Sequence, residues 1–315
     1  MTPSLIDIRA AAQRIKPYAH RTPVMTNESL NQQVGAQVFL KCENLQKVGA
    51  FKFRGACNAV YSLTADEAAR GVCTHSSGNH AAALALAARM RGIPAYIVMP
   101  NNAPSVKKNA VAGYGGLITF CEPTLAAREN TLERISLDTG ANVVHPYNDE
   151  RVITGQGTAA LELLEDIPDL DVIIAPVGGG GLLSGTAIAA TELKNGIRVI
   201  AGEPEMADDA FRSIKAGNII PSNDPKTIAD GLLTSLGTLT FPIIQDRVKQ
   251  IVTVSEMGII ASMKFIWERA KIIIEPSSAV AIGVLWEKKI DLNGLKIGVI
   301  LSGGNVDLEN LPWHK

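Results

Sequence analysis

The sequence contains only four cysteines and no long apolar run. Cys42, Cys57, Cys73 and Cys121 are scattered and form no Cys-x-x-Cys pair. This spacing predicts reduced thiols in a cytoplasmic protein, because zinc sites and disulfide frameworks use closer or denser cysteines. The longest strongly apolar helical run, residues 81–88, is far too short to cross a bilayer and predicts a buried helix. We therefore expect neither a membrane span nor a disulfide framework.

The sequence also lacks a block of basic residues and an apolar N-terminal segment. Its 30 Lys and Arg residues nearly balance 31 Asp and Glu residues, which argues against a nucleic-acid partner. Residues 5–9 carry charges where a signal peptide needs an apolar stretch. What the chain does have is a hydrophobic content of 46% over 315 residues, which is enough for a large core in two domains or lobes.

Short apolar runs alternate with helix-like runs along most of the chain. Strands are predicted at residues 71–74, 95–100, 116–120, 142–144, 171–176, 198–202, 250–254 and 296–301, and helices are predicted to begin near Ala56, Asn79, Ser105, Thr124, Glu150 and Gly185. This alternation predicts an α/β fold with a mainly parallel sheet and helices on both faces. Ligands of such sheets bind beyond the carboxyl ends of the strands.

Four consecutive glycines, Gly178, Gly179, Gly180 and Gly181, follow one predicted strand and precede a predicted helix. Without Cβ atoms, their N–H groups can face one concavity beside the positive end of the helix dipole, which favours a phosphate. The spacing of Gly179, Gly181 and Gly185, with Glu203 at the end of the next strand, is close to a dinucleotide fingerprint. The last glycine is one position later than in the Gly-x-Gly-x-x-Gly fingerprint. The loop alone therefore does not decide between a dinucleotide and a single phosphate as the ligand.

Lys52 lies between Phe51 and Phe53. Aromatic neighbours would partly desolvate its amine, which disfavours the ammonium form and frees a nucleophile. The alternative is a surface lysine whose stem lies along the rings.

Six separated motifs together resemble the fold type II (β-family) pyridoxal-phosphate (PLP) enzymes, and most nearly the serine racemase and serine/threonine dehydratase branch. They are Phe51-Lys52-Phe53-Arg54-Gly55-Ala56, Ser76-Ser77-Gly78-Asn79-His80, Gly155-Gln156-Gly157-Thr158, Gly178–Gly181, Glu275-Pro276-Ser277-Ser278 and Ser302-Gly303-Gly304-Asn305. The resemblance implies a tryptophan synthase β-like α/β fold with two lobes, each a mainly parallel sheet flanked by helices. Residues 1–65 and 148–315 would form the large cofactor-binding lobe and residues 66–147 the small lobe.

The resemblance implies a role for each matching cofactor residue. Lys52 would bind the cofactor aldehyde covalently, and Gly178–Gly181 would hold its phosphate. Phe51 would pack beside the pyridine ring, while Asn79 would donate to the phenolic oxygen as well as begin a helix. Ser302 would face the pyridine nitrogen. Because a neutral hydroxyl stabilises a pyridinium less than a carboxylate does, this choice suits α-proton abstraction and disfavours transamination.

The substrate α-carboxylate is expected at the turn formed by Ser76, Ser77, Gly78, Asn79 and His80, where hydroxyls and amides meet a helix N-terminus. In the serine racemase pattern the second serine, Ser77, carries a proton on the face opposite the lysine. Together with Lys52 it would provide one base on each face. The alternative is that Ser77 is simply another carboxylate or helix-cap ligand.

A metal site is also implied by the resemblance. Glu203, the carbonyl of Ala207 and Asp209 would bind Mg²⁺, or Ca²⁺ or Mn²⁺, near the cofactor phosphate, since hard cations need several nearby oxygens. An acidic helix start is the alternative. Ala81, Ala82 and Tyr147 stand where mammalian serine racemases have other residues, which argues against nucleotide activation. Only residues 306–315 follow the Ser302 motif, so no regulatory extension is expected.

The motifs therefore predict elimination of L-serine and L-threonine to a 2-oxo acid and ammonia, with some serine racemase activity. Serine racemase as the main activity and threo-3-hydroxyaspartate ammonia-lyase are the alternatives within the family. The second needs a cation for its extra carboxylate, and Arg128 is the candidate, although its place in a helix favours a surface ion pair over this role. An NAD(P)-dependent oxidoreductase and a non-catalytic metabolite-binding module are the rivals outside the family. A homodimer is a family expectation.

Overall fold

The computed structural model describes residues 2–314. The strands are β1 (Val24–Thr26), β2 (Gln37–Cys42), β3 (Val72–His75), β4 (Ala95–Pro100), β5 (Leu117–Cys121), β6 (Asn142–Val143), β7 (Val172–Pro176), β8 (Arg198–Pro204), β9 (Gln250–Val254) and β10 (Lys296–Leu301). The helices are α1 (Leu5–Ile15), α2 (Glu28–Val34), α3 (Lys52–Tyr61), α4 (Ala65–Arg70), α5 (Asn79–Arg91), α6 (Ser105–Gly113), α7 (Leu125–Thr139), α8 (Glu150–Asp166), α9 (Gly181–Leu193), α10 (Asp209–Ala216), α11 (Thr240–Arg247), α12 (Glu256–Phe265) and α13 (Pro276–Trp286).

Two sheets organise these strands, as the resemblance implied. The larger has the order β1-β2-β10-β7-β8-β9 and the smaller has the order β5-β4-β3-β6. Every strand pair is parallel except β1 with β2. Parallel strands need crossover helices, and these helices cover both faces of each sheet and bury its apolar side chains.

The small sheet comes from residues inside the predicted small lobe, 66–147, but the predicted boundaries themselves stay a prediction. The large-lobe ranges include Met1 and Lys315, which lie outside the described residues. The alanine-rich helix α5 is buried along most of its length, as predicted from its composition. It packs with α3 in one apolar cluster. Within residues 2–314, no helix combines the length and the apolar character that a membrane span requires.

Several strand and helix boundaries differ from the prediction. Strands β1 and β2 were not predicted, and α3 begins at Lys52 rather than at Ala56. Helix α9 begins at Gly181, so Gly185 is not its start but lies inside it. A Cβ added at Gly185 would lie 2.4 Å from the Ile153 carbonyl oxygen. Gly185 therefore serves the close packing of α9 on α8, which overrides the poor helix propensity of glycine.

Candidate active site

The candidate site lies where the carboxyl ends of strands from both sheets meet. The loops after β3, β7 and β10 contain the serine-rich turn, the glycine loop and Ser302, and Lys52 lies at the start of α3. Lys52 Nζ donates to the Pro146 carbonyl oxygen at 2.8 Å, and the Phe51 amide donates to the Ser302 carbonyl oxygen at 2.9 Å. These two bonds join the start of α3 to the segment after β6 and to the loop after β10. The structure thus brings Lys52 and Ser302 together.

Lys52 is half-buried at this junction. Its amine lies 5.1 Å from the centre of the Phe51 ring. Desolvation lowers the pKa of Lys52 to about 8, and the nearby Glu275 carboxylate opposes the shift. The expected pair of flanking rings is not what the structure contains, because Phe53 is fully buried in the core with its ring beside the Lys47 amine. The Lys52 amine therefore has one neighbouring ring, that of Phe51, and lies at the junction of the lobes beside the Pro146 carbonyl oxygen.

A buried ion-pair network, not predicted from the sequence, fixes the helix that begins with Lys52. The Arg54 guanidinium is fully buried, with Nε 2.7 Å from Glu43 and Nη1 2.8 Å from Glu162. Lys41 adds a third contact, 2.6 Å from Glu162. Removing one member would leave an uncompensated buried charge, at a cost of about 3–5 kcal/mol. The network therefore fixes α3 to β2 and α8, and with them the backbone of Lys52.

The glycine loop Gly178–Gly181 has the properties that a phosphate site needs. All four residues are buried, and Gly180 has a left-handed φ of 90° just before α9. Among residues 2–314, no acceptor is found for the amides of Gly178, Gly179 and Gly180. Buried N–H groups without partners are costly. Because they lie at a helix N-terminus, a phosphate group would satisfy them and benefit from the dipole.

Two residues that cover this loop were not predicted as part of the site. The Tyr147 ring lies against Gly179, where an added Cβ would meet ring carbons at 2.3 Å. Thr240 is fully buried, and its hydroxyl donates to the Gly179 carbonyl oxygen at 2.8 Å. The sequence carried no signal for Thr240, because it lies about 60 residues beyond the loop in a different helix.

A second set of side chains bridges the lobes at Asn79, the first residue of α5. Asn79 Nδ2 lies 3.0 and 3.1 Å from the two carboxylate oxygens of Glu275. Asn305 Nδ2 donates to Asn79 Oδ1 at 2.9 Å and to the Val48 carbonyl oxygen at 2.7 Å. Burial raises the pKa of Glu275 to about 7, while its hydrogen bonds with Asn79 and Asn305 oppose the shift. The motifs containing Glu275 and Asn305 were noticed in the sequence, but neither residue received a role.

The serine-rich turn joins β3 to the N-terminus of α5, as predicted. The Gly78 amide donates to Ser76 Oγ at 3.3 Å, and Ser77 is half-buried. The His80 side chain turns away from this role, because its Nε2 lies 3.1 Å from the Val144 carbonyl oxygen. Burial and the nearby Lys52 charge lower the pKa of His80 to about 3, so its ring is neutral. Only the backbone of His80 is left to meet a carboxylate.

The two acidic side chains of the implied metal site meet at the start of α10, where Asp209 is the first helical residue and Glu203 reaches in from the end of β8. The Glu203 carboxylate accepts from the amides of Ala210 and Phe211 at 2.7 and 2.8 Å, as the helix-start alternative requires. Asp209 is buried, and its Oδ2 has no hydrogen-bond partner in the described chain. Burial raises the pKa of Glu203 to about 8 and that of Asp209 to about 6. No group of three or more His, Cys, Asp or Glu side chains suited to a metal occurs in residues 2–314.

Arg128 on α7 does not form, within the described residues, the helix-surface ion pair that was the alternative role for it. No carboxylate lies within 4.0 Å of its guanidinium in the described part of the chain, and its Nε donates weakly to the Thr124 carbonyl oxygen at 3.4 Å. It lies near His75, at the end of β3. Burial first, and then the Arg128 charge, lower the pKa of His75. An Arg without a carboxylate partner therefore lies near the start of the serine-rich turn.

Comparison with known proteins agrees with this geometry. The sequence profile of the family described as "Pyridoxal-phosphate dependent enzyme" matches residues 15–303. The chain is 52% identical over 312 residues to a beta-hydroxyaspartate dehydratase of Paracoccus denitrificans, covering 99% of each protein. It is 53% identical over 312 residues to a serine racemase of Arabidopsis thaliana, covering 98% of this chain and 94% of the relative.

A solved structure agrees equally well. The crystal structure of serine racemase from Dictyostelium discoideum matches with a TM-score of 0.93 and 50% identity, covering 98% of this chain and 100% of that one. These matches favour the single-phosphate interpretation of the glycine loop over the dinucleotide interpretation. Glu203, the acid that suggested a ribose contact, is engaged with α10 instead. The chain belongs to the fold type II pyridoxal-phosphate dependent enzymes, in the branch of the serine racemases and serine/threonine dehydratases.

Proposed function

We propose that this enzyme eliminates the β-hydroxyl of small β-hydroxy amino acids, converting L-serine and L-threonine to a 2-oxo acid and ammonia, with serine racemisation as an accompanying activity. The observation that carries the proposal is the half-buried Lys52 amine, with its lowered pKa, beside Phe51 and the loop of Ser302. An amine that is partly neutral near physiological pH serves both as a nucleophile and as a base. Serine racemisation as the main activity is the alternative within the same site.

Each protein group has a defined task in this proposal. The bound cofactor supplies an electron sink for the negative charge that develops at the substrate Cα. Lys52 would hold the cofactor, release it to the substrate amino group, accept the α-proton at Nζ and donate a proton to the departing β-hydroxyl, which leaves as water. The backbone N–H groups of Ser77, Asn79 and His80 would bind the α-carboxylate at the start of α5, because those of Ser76 and Gly78 already donate within the protein. The Ser302 hydroxyl would face the pyridine nitrogen without adding charge. Gly178–Gly181 hold the phosphate, which fixes the ring relative to Lys52.

Ser77 separates the two activities in this proposal, because only racemisation needs a proton donor on the face opposite Lys52. We expect Ser77→Ala to lower the exchange of serine enantiomers by about 100-fold or more, the typical contribution of one acid–base group. Elimination of L-serine should change only a few-fold. Chiral chromatography and a keto-acid assay on the same samples measure both rates. Ser76→Ala is the matched control and should affect both reactions alike; an equal loss of both rates in Ser77→Ala contradicts this division.

A second candidate substrate is threo-3-hydroxyaspartate, and Arg128 is the observation that favours it. Its guanidinium has no carboxylate partner in the described residues and lies near His75, which precedes the serine-rich turn. A second substrate carboxylate would supply the missing anion. The name of the Paracoccus relative, a beta-hydroxyaspartate dehydratase, is consistent with this substrate.

Steady-state assays with both enantiomers of serine, threonine and threo-3-hydroxyaspartate distinguish these candidates. If Arg128 binds the second carboxylate, Arg128→Met should lower kcat/KM for 3-hydroxyaspartate by about 100-fold, because an unpaired charge on a bound substrate costs about 2–5 kcal/mol. Serine turnover should stay within a few-fold. Arg134→Met, an exposed position on the same helix, is the control. Failure of all three amino acids as substrates contradicts the proposed function itself.

We further propose a Mg²⁺ site, or one for Ca²⁺ or Mn²⁺, formed by Glu203, the Ala207 carbonyl and Asp209. The support is electrostatic: two buried acidic side chains lie within seven residues, and Asp209 Oδ2 lacks a partner among the described residues. A hard cation would compensate both carboxylates. The backbone amides of Ala210 and Phe211 already donate to the Glu203 carboxylate. In the proposed site the cation would bind this carboxylate in addition to these hydrogen bonds.

Binding of this cation is expected to stabilise the fold. Mg²⁺ at about 100 times its Kd should contribute about 2.7 kcal/mol and raise Tm by about 4 °C. EDTA should reverse the shift, and Asp209→Asn should abolish it. The neighbouring Asp208→Asn is the control, because Asp208 pairs with Arg212 at the surface. A wild-type melting curve that responds to neither Mg²⁺ nor EDTA favours the acidic helix start alone.

We also propose a cytoplasmic homodimer. Its support is a set of partly exposed apolar side chains, those of Leu45, Ile273 and Leu308. Leu45 and Ile273 belong to neighbouring segments, which are joined by a hydrogen bond from Asn44 Nδ2 to the Ile273 carbonyl oxygen. All four cysteines are free, which suits a reducing compartment. Light scattering should give twice the chain mass of 33.4 kDa; a single chain mass contradicts the dimer.

A further inference from the structure

Glu275 is a buried carboxylate beside the candidate site, and the proposed mechanism has no use for it. It immediately precedes α13 and is 5% exposed. Its hydrogen-bond partners in the described chain are amides: Asn79 Nδ2 at 3.0 and 3.1 Å and the Asn305 backbone N–H at 3.1 Å. A Cβ on Gly303 would lie 2.6 Å from Glu275 Oε1. The fold therefore makes room for this carboxylate next to Asn79, where an apolar side chain would avoid the cost of burial.

While Glu275 is ionised, the partners of Asn79 allow only one orientation of its amide. Glu275, when ionised, is only an acceptor, so it needs the Nδ2 end of Asn79. Asn305 Nδ2 is only a donor, so it needs the Oδ1 end. Rotating the Asn79 amide by half a turn would place oxygen against oxygen and nitrogen against nitrogen. Asn79 is thus held with its NH₂ group on the side of Glu275.

One hydrogen of this NH₂ group remains for another acceptor. The two oxygens of a single carboxylate lie too close together to take one hydrogen each along good directions, so the two contacts of 3.0 and 3.1 Å represent one shared hydrogen. No further acceptor for Asn79 Nδ2 is found within residues 2–314. The remaining N–H is the one that can donate to the phenolic oxygen of the cofactor.

We propose that Glu275 is a positioning residue that acts through Asn79, fixing the amide so that an N–H, and never the carbonyl, meets the phenolic oxygen of the bound cofactor. This inference rests on the proposed contact between Asn79 and the cofactor. Asn305 supplies the second constraint, and its bond to the Val48 carbonyl oxygen connects the amide to the loop before Lys52. Val48 has a left-handed φ of 58°, unusual for a β-branched residue, and that loop is therefore strained.

Glu275→Gln tests this role because it keeps the volume but presents both a donor and an acceptor to Asn79. Both amide orientations become acceptable, so we expect about a tenfold weaker affinity of the apo protein for the cofactor, the typical size of one hydrogen bond to a charged group. The visible absorption band of the bound cofactor should also change, because the bond at the phenolic oxygen determines its protonation. Equilibrium titration and absorption spectra measure these two effects.

A double-mutant cycle distinguishes action through Asn79 from an independent effect. Asn79→Ala alone should weaken cofactor affinity about tenfold, and adding Glu275→Gln should weaken it no further. Losses that multiply to about 100-fold would overturn the proposal. If Glu275→Gln fails to fold, Asn305→Ala tests the second constraint on the Asn79 amide, because Asn305 is exposed. This variant should shift the absorption spectrum in the same direction as Glu275→Gln. An unchanged spectrum and affinity in both variants would also overturn it.

Glu287→Gln is the matched control, since Glu287 lies at the other end of α13 and accepts bonds from Ser255. It should leave the spectrum and the affinity unchanged. A Glu275→Gln variant that only lowers Tm, with wild-type spectrum and affinity, indicates a purely structural role and contradicts the proposal. A wild-type protein that gains no visible band with the cofactor contradicts the proposed function instead.

Discussion

Lys52→Ala is expected to abolish the elimination activity and the visible colour of the protein with PLP. The substitution removes both the covalent attachment and the base at Nζ, so kcat should fall by at least about 1,000-fold; a general base alone contributes about 10²–10⁴-fold. Glycine-loop contacts do not involve this side chain, so weak cofactor binding should remain. Keto-acid formation and absorption spectra measure the two losses.

The matched control for this variant is Lys47→Ala. Lys47 lies in the segment just before α3, but its amine is beside the Phe53 ring, so the substitution should leave activity within a few-fold. A non-catalytic binding module makes the opposite prediction, namely that Lys52→Ala keeps full ligand affinity and that the wild type never forms a keto acid. Wild-type activity in Lys52→Ala would contradict the proposed mechanism.

The pH dependence of cofactor association tests the environment of the same amine. A pKa lowered from 10.5 to about 8 leaves about 10% of the amine neutral at pH 7, against about 0.03% for an ordinary lysine. Because the neutral amine attacks the aldehyde, the association rate of the apo protein should rise about tenfold per pH unit below pH 8 and level off above it. Stopped-flow absorbance measures this profile. A rate that keeps rising to pH 10 contradicts the lowered pKa.

Gly179→Ala should weaken cofactor binding by about 100-fold or more. The added Cβ would lie 2.3 Å from ring carbons of Tyr147, so either the loop or the ring must move. Movement of the loop removes amide bonds to the phosphate, each worth about 1.5–3 kcal/mol when one partner is charged. Two such bonds correspond to the predicted loss. Titration of the apo protein with PLP measures the change.

Two further variants make the cause of this loss testable. Gly113→Ala is the control, because an added Cβ there meets nothing within 4 Å and the position lies at the end of α6. Gly179→Ala with Tyr147→Ala removes the ring that the methyl group would meet, so cofactor affinity should partly return. Unchanged affinity in Gly179→Ala would contradict a phosphate site in this loop. No recovery in the double variant would mean that the ring is not the cause.

Most of the parallel sheet could be predicted because its strands are apolar runs between helical segments. Strands β4, β9 and β10 have the predicted bounds. Strands β1 and β2 were missed because the period of apolar residues alone does not separate a short strand from a loop. Lys41 interrupts the apolar pattern inside β2, where its amine is buried in contact with Glu162 and with the Thr22 carbonyl oxygen. The start of α9 was placed late because Gly185 looked like a helix boundary, whereas it is a packing position.

The candidate site was predictable where one residue carries the chemistry. Lys52, the glycine loop and Ser302 were predicted from their motifs, and their roles stay predictions. The structure places Lys52 next to Phe51, whose amide donates to the Ser302 carbonyl oxygen. The sequence did not identify residues that position other side chains, because the side chains that they contact are distant in sequence. Glu275 and Asn79 are separated by 196 positions. Tyr147 and Thr240 cover the glycine loop although both are distant from it in sequence.

The most direct test of the account is to locate the covalent attachment of the cofactor. Borohydride reduces the lysine–cofactor linkage to a stable amine, and peptide mass spectrometry then identifies the modified residue. We predict that the cofactor mass is found on the peptide that contains Lys52, and that Lys52→Ala carries none. A modification on another lysine, or an active wild-type enzyme that retains no cofactor mass after reduction, would contradict the account.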